Sequence, residues 1–297
     1  MKKIIFKLIR YSGLPFFSRE LFQKNKVTIL LFHDLSIKTA EKTFNYLIRN
    51  YNIIDLNDFI KICNKQIDFK LPPKALIITF DDGRIGNYKI LPLIIKYNIP
   101  ITIFLCANII NTNKKYWFNI KHPFYSFEQL TQFTNQKKLE TLKQVGFEQD
   151  TEFEIPYALT KNQIMEMAQF VNFQSHTLYH PCLPKCNDFE ADDEISRSKS
   201  ILEKNYGFSI NAFSYPNGDY SDRDIELVKA AGYKSGVTVD FGYNTRNTDL
   251  FRLKRVSVND TNNIDELIVK ASGVWAFLKK LIYNKQSNGF IHKKEAK

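Results

Sequence analysis

Short apolar runs alternate with longer amphipathic stretches over most of the chain. The apolar runs have the length of buried strands, and several are rich in β-branched side chains. They lie at residues 27–34, 75–83, 99–106, 233–239 and 251–258. Helices are predicted between them, at residues 87–97, 159–170, 188–206 and 222–231. Strands that alternate with helices are typical of a mainly parallel sheet, so the pattern predicts an α/β fold.

Three segments fall outside this alternation. Residues 1–26 and 261–297 carry basic side chains beside apolar ones, and each segment is predicted to contain an amphipathic helix that packs on the domain or lies on an anionic membrane. Residues 111–158 mix aromatic and polar side chains, which is typical of an inserted loop region that shapes a cleft. The predicted organisation is an N-terminal arm, a main domain at 27–260 and a C-terminal helix with a tail.

The charge of the chain bears on its partners. The sequence has 297 residues, enough to bury a sizeable core, and a formal net charge of +11. Such an excess favours an anionic neighbour, either nucleic acid or an acidic membrane surface, although a lysine-rich solvated surface would also produce it. No nucleic-acid-binding motif accompanies the charge. We therefore expect no nucleic acid, and an anionic membrane is the candidate peripheral partner.

The first residues do not have the pattern of a signal peptide. Lys7 and Arg10 interrupt the apolar run, and no small-residue cleavage site follows it. The run is also too short to span a bilayer. These observations favour a cytoplasmic location, with the basic ends at the inner face of the membrane.

Two clusters of polar side chains carry the candidate chemistry. Asp81 and Asp82 follow an apolar run, and two adjacent carboxylates repel each other unless a cation offsets their charge. His176 and His180 are four residues apart, a spacing that places both imidazoles on one face of a helical turn. A metal bound by one carboxylate and two imidazoles keeps coordination positions open for water and substrate. The two clusters therefore predict a catalytic rather than a structural metal site.

The cysteines permit a second interpretation of the histidine cluster. The four cysteines of the chain are too sparse for a disulfide framework. Cys182 and Cys186 follow His176 and His180 closely, so these four side chains could form a closed zinc site. Pro181 restricts the chain between His180 and Cys182, which disfavours this ligand set. A closed site of this kind would also leave the paired aspartates unexplained.

The two clusters are also family motifs. Thr-Phe-Asp-Asp-Gly at 79–83 and Ser-His-Thr-Leu-Tyr-His-Pro at 175–181 occur in the order and at roughly the separation seen in polysaccharide deacetylases. The chain resembles the NodB-homology deacetylases, carbohydrate esterase family 4, from about Val27 to about Val258. This resemblance implies that residues 27–260 form a distorted (β/α) barrel with an inserted loop region.

The resemblance also assigns roles to the clustered side chains. In the family pattern, Asp82, His176 and His180 would hold one divalent metal, most commonly zinc, with cobalt, nickel, iron and manganese as alternatives. Asp81 would act as the general base in the hydrolysis of an N-acetyl group from an amino sugar. The implied partner is an N-acetylated glycan.

The sequence departs from the family at its third motif, Arg-x-Pro-aromatic, which is Ser-Tyr-Pro-Asn at 214–217. The backbone N–H of Asn217 could still stabilise an oxyanion, because a main-chain donor does not depend on the side chain. Tyr215, in the same motif, is a further candidate for the substrate and oxyanion side of the site. The missing arginine would have oriented Asp81. Arg255, near the end of a late predicted strand, is the candidate replacement, with an ordinary surface or ion-paired arginine as the alternative.

A second departure concerns the general acid. The family often uses a late histidine, but the histidine that follows His180 is His292, in the predicted tail. His33, at the end of the first predicted strand, is the substitute we favour over a purely structural histidine, because imidazole suits proton transfer near neutral pH. Trp117, in the inserted region, could stack on a sugar ring or simply pack the insertion.

Three functional hypotheses follow. The first is a metal-dependent deacetylase of a polysaccharide, an oligosaccharide or a lipid-linked glycan. The second is a noncatalytic glycan-binding relative, and the third is a membrane-surface interaction protein with a structural metal. Metal-dependent acetate release would distinguish the first from the others. No motif selects among the glycans, since fold alone does not define a substrate.

Overall fold

The computed structural model describes residues 2–67, 70–279 and 281, so His292 and most of the predicted tail lie outside the described residues. The strands are β1 (Val27–Phe32), β2 (Asn52–Ile53), β3 (Ala75–Phe80), β4 (Ile101–Leu105), β5 (Val171–Ser175), β6 (Ala212–Ser214), β7 (Ser235–Val237) and β8 (Val256–Ser257). The helices are α1 (Lys2–Tyr11), α2 (Leu14–Phe17), α3 (Ile37–Asn50), α4 (Leu56–Cys63), α5 (Leu91–Tyr97), α6 (Phe127–Leu130), α7 (Asn135–Lys143), α8 (Lys161–Met167), α9 (Asp188–Tyr206), α10 (Asp222–Ala230) and α11 (Ile264–Ala271).

The strands form one sheet in the order β7-β6-β5-β4-β3-β1-β8, and β2 pairs with the start of β3. All of these strand pairs are parallel. Every residue of β1 and of β3 is buried, which explains why both read as continuous apolar runs without alternation. The parallel sheet predicted from the sequence is confirmed.

The two ends of the sheet come together beyond β7. The Thr238 N–H donates to the Leu253 carbonyl at 2.8 Å, and the Leu253 N–H donates to the Gly236 carbonyl at 2.9 Å. Because β8 follows this segment and pairs with β1, the sheet curls around a common interior. The fold is the distorted (β/α) barrel that the family resemblance implied.

Capping side chains, glycine and proline set the ends of the helices. The predicted helix at 188–206 is α9, which Asn187 caps through a reciprocal pair of hydrogen bonds with Glu190. Gly207 ends it with φ 71°, a left-handed conformation that costs glycine little. The predicted helix at 87–97 is a 3-10 segment, Ile85–Ile90, followed by α5 with Pro92 in its first turn, where no N–H is needed.

The N-terminal arm packs on the C-terminal helix α11. Phe6 of α1 is buried against Val269 and Val274. An ion pair of 2.5 Å joins Arg10 to Asp265, and the Ser18 hydroxyl donates to the Ser272 carbonyl at 2.7 Å. One face of the arm therefore packs on the domain. Within the described residues, no helix is both long enough and apolar enough to cross a bilayer.

Candidate metal and catalytic site

The ends of the central parallel strands bring the candidate side chains to one edge of the barrel. His33 follows β1, Asp81 and Asp82 follow β3, and His176 follows β5. Together with Asn217, which follows β6, they line an open cavity of about 350 Å³. We call this cavity the catalytic cleft. Polar groups from distant parts of the sequence meet there because parallel strands end at the same edge of the sheet.

Asp82, His176 and His180 form a compact buried cluster. The Asp82 Oδ1 atom is 3.6 Å from the Nε2 atom of His176 and 3.6 Å from the Nε2 atom of His180. One potential ligand atom from each residue lies within 4.8 Å of the other two. Among the described residues this is the one group of acidic, histidine or cysteine side chains with such spacing. The cluster unites the two motifs found in the sequence.

The histidines do not share a helical turn, so this sequence prediction was wrong. His176 directly follows β5, and His180 lies in a loop in which Thr177 and His180 both have positive φ, 69° and 60°. The loop is closed by a hydrogen bond of 2.9 Å from the His180 N–H to the Thr177 hydroxyl. Two left-handed residues turn the chain back sharply, and this turn places the second imidazole beside the first.

The hydrogen bonds of the cluster leave its inner atoms free to bind a cation. The His176 Nδ1 atom lies 2.7 Å from the Ser214 carbonyl, which can only accept, so Nδ1 carries a proton and Nε2 is the nitrogen turned toward Asp82. The buried Asp82 Oδ1 atom has no hydrogen-bond partner. Burial lowers the pKa of His180 to about 3, which keeps its imidazole neutral. An unpartnered carboxylate oxygen facing the Nε2 atoms of two imidazoles fits a divalent metal.

Two further groups hold these ligands in place. The second oxygen of Asp82 accepts from Arg84, with the Nη2 atom at 2.9 Å, so Oδ1 is the oxygen left for a metal. Glu194 of α9 accepts the backbone N–H groups of Leu178 and Tyr179 at 2.7 and 2.9 Å. Glu194 thereby fixes the loop between the two histidines. Neither Arg84 nor Glu194 was predicted from the sequence, although Arg84 directly follows the Thr-Phe-Asp-Asp-Gly motif.

Asp81 points to a different partner, Arg255. The guanidinium is 1% exposed and pairs with both carboxylate oxygens, each at 2.8 Å. The Ser214 hydroxyl joins the pair, donating to Asp81 at 3.2 Å and accepting from Arg255 at 3.0 Å. Burial alone would raise the pKa of Asp81, but the charge and hydrogen bonds of Arg255, together with the nearby histidines, hold this pKa well below its usual range. Asp81 is therefore an oriented, ionised carboxylate beside the metal cluster.

His33 and Asn217 also reach the catalytic cleft. The backbone of His33 is held on both sides, by the Asp260 carboxylate at 3.1 Å and by the Asn87 amide at 2.8 Å. Its half-buried side chain faces the cleft. Asn217 has φ 57°, and its side-chain amide donates to the Cys182 sulfur at 3.3 Å. The roles predicted for both residues remain predictions.

Two residues predicted at the site have side chains that do not line the cleft. Tyr215 is buried in the core, where its hydroxyl donates to the Phe251 carbonyl at 3.1 Å. Trp117 is 3% exposed and donates from Nε1 to the His180 carbonyl at 2.7 Å, so its ring supports the histidine loop. Phe118 and Phe127 line the cleft in its place. The sequence could not distinguish among these clustered aromatics, because which ring faces outward depends on how the insertion packs.

The closed zinc site is also excluded by these contacts. The Cys182 sulfur accepts from Asn217, and the Cys186 thiol donates to the Cys182 carbonyl at 3.7 Å. Burial raises the pKa of both thiols, which therefore stay protonated. Neither belongs to the cluster that could hold a metal. The cysteines pack beneath the site.

Comparison with known proteins agrees with the geometry. The chain belongs to the polysaccharide deacetylase family, whose model it matches over residues 69–236. It is similar to the poly-β-1,6-N-acetyl-D-glucosamine N-deacetylase of Staphylococcus epidermidis, with 25% identity over 285 residues that cover 84% of each chain. Family membership supports a hydrolase that removes acetyl groups from carbohydrates.

Two solved structures share the fold. IcaB from Ammonifex degensii aligns with a TM-score of 0.61 and 17% identity, over 84% of this chain and 97% of that one. The Streptococcus pyogenes deacetylase PplD, in complex with acetate, aligns with a TM-score of 0.58 and 20% identity, over 84% of this chain and 99% of that one. At these identities the likeness establishes the barrel fold.

Proposed function

We propose that this protein is a metal-dependent hydrolase that removes N-acetyl groups from the amino sugars of a glycan. The observation that carries the proposal is the buried Asp82–His176–His180 cluster at the floor of the catalytic cleft, with Asp81 held beside it. Zinc suits one carboxylate and two imidazoles, and cobalt, nickel, iron or manganese could occupy the same ligands. The name of the Staphylococcus epidermidis relative supports an N-acetylglucosamine unit as the reacting sugar.

A metal at these ligands would lower the pKa of a bound water and polarise the amide carbonyl. The carboxylate of Asp81 accepts the proton of the attacking water, and Arg255 keeps that carboxylate ionised and oriented. The Asn217 N–H donates to the oxygen that gains charge when water adds to the carbonyl carbon. The carbon–nitrogen bond then breaks, and His33 donates a proton to the departing amine. Acetate and the free amino sugar are the products.

Release of acetate from N-acetylglucosamine oligomers tests the proposal. Metal-stripped protein should be inactive, and activity should return with zinc or another divalent metal. Asp81→Asn should bind metal normally but lose activity by about 10²-fold or more, because it cannot accept a proton. His33→Ala should likewise retain metal while its turnover falls. Metal binding by the wild-type protein, with no acetate released from these oligomers or from a lipid-linked N-acetyl sugar, would instead favour the noncatalytic glycan-binding hypothesis.

We further propose that the terminal helices contact an anionic membrane. Support comes from α1 and the turns after it, where the outer face exposes apolar side chains beside lysines. These apolar residues are Ile4, Leu8, Tyr11, Phe16 and Leu21. An apolar face flanked by cations is typical of helices that lie in a membrane interface. The location of the protein on the cytoplasmic side remains a prediction.

A further inference from the structure

One further cavity adjoins the catalytic cleft, and a second cavity adjoins the first. The first, about 390 Å³, shares Val239 and Ser257 with the cleft, and its far wall includes Lys2 and Lys279 from the two terminal helices. We call it the basic cavity. The second, about 280 Å³, shares Phe241 with the basic cavity and lies between α2 and the helical residues 274–279. We call it the apolar groove. The three spaces form one series that begins at the metal cluster.

The basic cavity holds two cations whose charge is not neutralised by an ion pair. Lys270 forms an ion pair of 2.7 Å with Glu266, and Arg255 is neutralised by Asp81. Lys2 and Lys279 are both exposed, and neither forms an ion pair with another described residue. Glu266 also attracts Lys2 at longer range, but its carboxylate is already paired. The net charge offered to a ligand in the basic cavity is positive.

The apolar groove has the opposite character. Its walls are mainly aromatic and aliphatic, from Phe17 and Phe22 on one side to Val274 and Phe277 on the other. Phe17, Phe22 and Phe277 are each more than half exposed, so the groove is open to a ligand. Burial of apolar surface in such a groove would add affinity in proportion to the area covered.

We propose that the amino sugar is presented as a lipid-linked substrate, joined through a phosphate or pyrophosphate to a hydrocarbon chain. The sugar would occupy the catalytic cleft, the phosphate would contact Lys2 and Lys279 in the basic cavity, and the hydrocarbon would lie in the apolar groove. This proposal rests on the deacetylase function proposed above. It follows from the order of the cavities, because only a ligand that is polar, then anionic, then apolar matches all three.

A neutral polymer matches this order poorly. A long glycan presents repeating hydroxyls and the apolar faces of sugar rings, and such a ligand would leave the cations of the basic cavity without a counter-charge. It would also leave the apolar groove uncovered. The terminal helices thus contribute to substrate selection, because they supply Lys2, Lys279 and most of the apolar groove.

Four substrates that share one sugar separate the contributions of phosphate and lipid. They are a neutral N-acetylglucosamine oligomer, N-acetylglucosamine 1-phosphate, an octyl glycoside of N-acetylglucosamine, and N-acetylglucosamine linked through pyrophosphate to a farnesyl chain. Acetate release by the metal-loaded full chain is measured for each. We expect kcat/KM for the farnesyl pyrophosphate compound to exceed each of the other three by at least about tenfold.

Charge reversal then tests the two lysines. In Lys2→Glu/Lys279→Glu, the preference for the farnesyl pyrophosphate compound over the neutral oligomer should fall about tenfold, because two charge-assisted contacts become repulsive. The matched control is Lys204→Glu/Lys234→Glu, which changes the net charge equally at exposed positions outside these cavities and should keep the preference. Phe277→Ser should lower the preference through the lipid alone, because it removes apolar surface from the apolar groove without adding a charge.

The outcomes separate this inference from the proposed function. Equal kcat/KM values for all four substrates, or an equal loss in both double variants, would overturn the lipid-linked substrate and leave the deacetylase intact. A preference for the 1-phosphate that the farnesyl chain does not increase would also overturn it, in favour of a soluble sugar phosphate. No acetate from any of the four would overturn the deacetylase function itself.

Discussion

Arg255 is the candidate replacement for the arginine that is missing from the third family motif. It comes from the segment before β8, yet its guanidinium meets both oxygens of Asp81 and also donates to the Thr238 carbonyl at 2.8 Å. Such a fork of donors fixes both the position and the plane of a carboxylate. An arginine from a different part of the chain can therefore hold the proposed base at the same edge of the barrel.

Replacing Arg255 should raise the pKa of Asp81 and slow turnover. In Arg255→Ala, burial would act on Asp81 without the compensating charge, so the acidic limb of the pH dependence of kcat/KM should move to higher pH. We expect kcat to fall about 10²-fold, because the base loses its orientation. An unpaired buried carboxylate should also cost about 3–5 kcal/mol of unfolding free energy. Enzyme assays across pH and urea unfolding measure these effects.

Two further variants make this prediction specific to the ion pair. Arg255→Lys keeps one charge but not the fork, so the pH limb should shift less while kcat stays reduced. Arg252→Ala removes an exposed arginine that pairs with Asp222 and Asp249, and it should change neither quantity appreciably. An unchanged pH limb in folded Arg255→Ala would contradict the assignment of Asp81 as the base.

The candidate metal ligands could be predicted from the sequence because they lie within short motifs at strand ends. Asp82, His176 and His180 meet as expected, since a buried parallel strand leaves few places for the polar residues that follow it. The conformation of the histidine loop could not be predicted, because spacing alone does not distinguish a helical turn from a loop with two left-handed residues. The burial of Tyr215 and Trp117 depends on long-range packing, so it could not be predicted from the sequence either.

At the scale of elements, α9 supports the site from behind. Its Glu194 is buried and accepts two N–H groups of the histidine loop. Burial raises the pKa of Glu194 to about 7, although these hydrogen bonds and Lys138 act in the opposite direction. The helix itself was predicted from the sequence at residues 188–206, which are its observed bounds. The contact between Glu194 and the histidine loop was not predicted. Helix α9 carries several acidic residues, and no sequence pattern distinguishes the buried one from the others.

The raised pKa of Glu194 predicts how stability depends on pH. Below about pH 4.5 the carboxyl is protonated in both the folded and unfolded states, and from there to about pH 7 only the folded state keeps its proton. The free energy of unfolding should therefore fall as pH rises through this window. In metal-free protein, the wild type should lose about 2 kcal/mol more than Glu194→Gln between pH 4.5 and 7.5. Urea unfolding at several pH values measures the difference.

An exposed glutamate provides the control. Glu226→Gln lies on α10, where its side chain is 71% exposed and pairs only with Lys229, so it should follow the wild-type pH dependence. A constant difference between wild type and Glu194→Gln at every pH would show that Glu194 does not titrate in this window.

At the scale of the whole molecule, the arm and α11 form a second layer outside the barrel. The inner face of α1 is fixed by Phe6 and the Arg10–Asp265 ion pair, which leaves its outer face free. The sequence predicted both packing and membrane contact as alternatives for this helix. The packing is observed on one face of the helix, and the proposed membrane contact would use the opposite, exposed face. The same layer completes the basic cavity and the apolar groove, so membrane contact and lipid-linked substrate would occur on one side of the molecule.

Co-sedimentation with vesicles tests the membrane contact. Wild-type protein should bind phosphatidylglycerol vesicles more tightly than phosphatidylcholine vesicles, and added salt should weaken the binding. Leu8→Asp/Phe16→Asp should lower the affinity at least about tenfold, because it places charge on the apolar face. The control Ile155→Asp/Phe189→Asp alters equally exposed apolar residues elsewhere and should bind as the wild type does, apart from a small effect of net charge. Equal weakening in both double variants would mean that charge alone drives binding, and the arm would then have no specific role at the membrane.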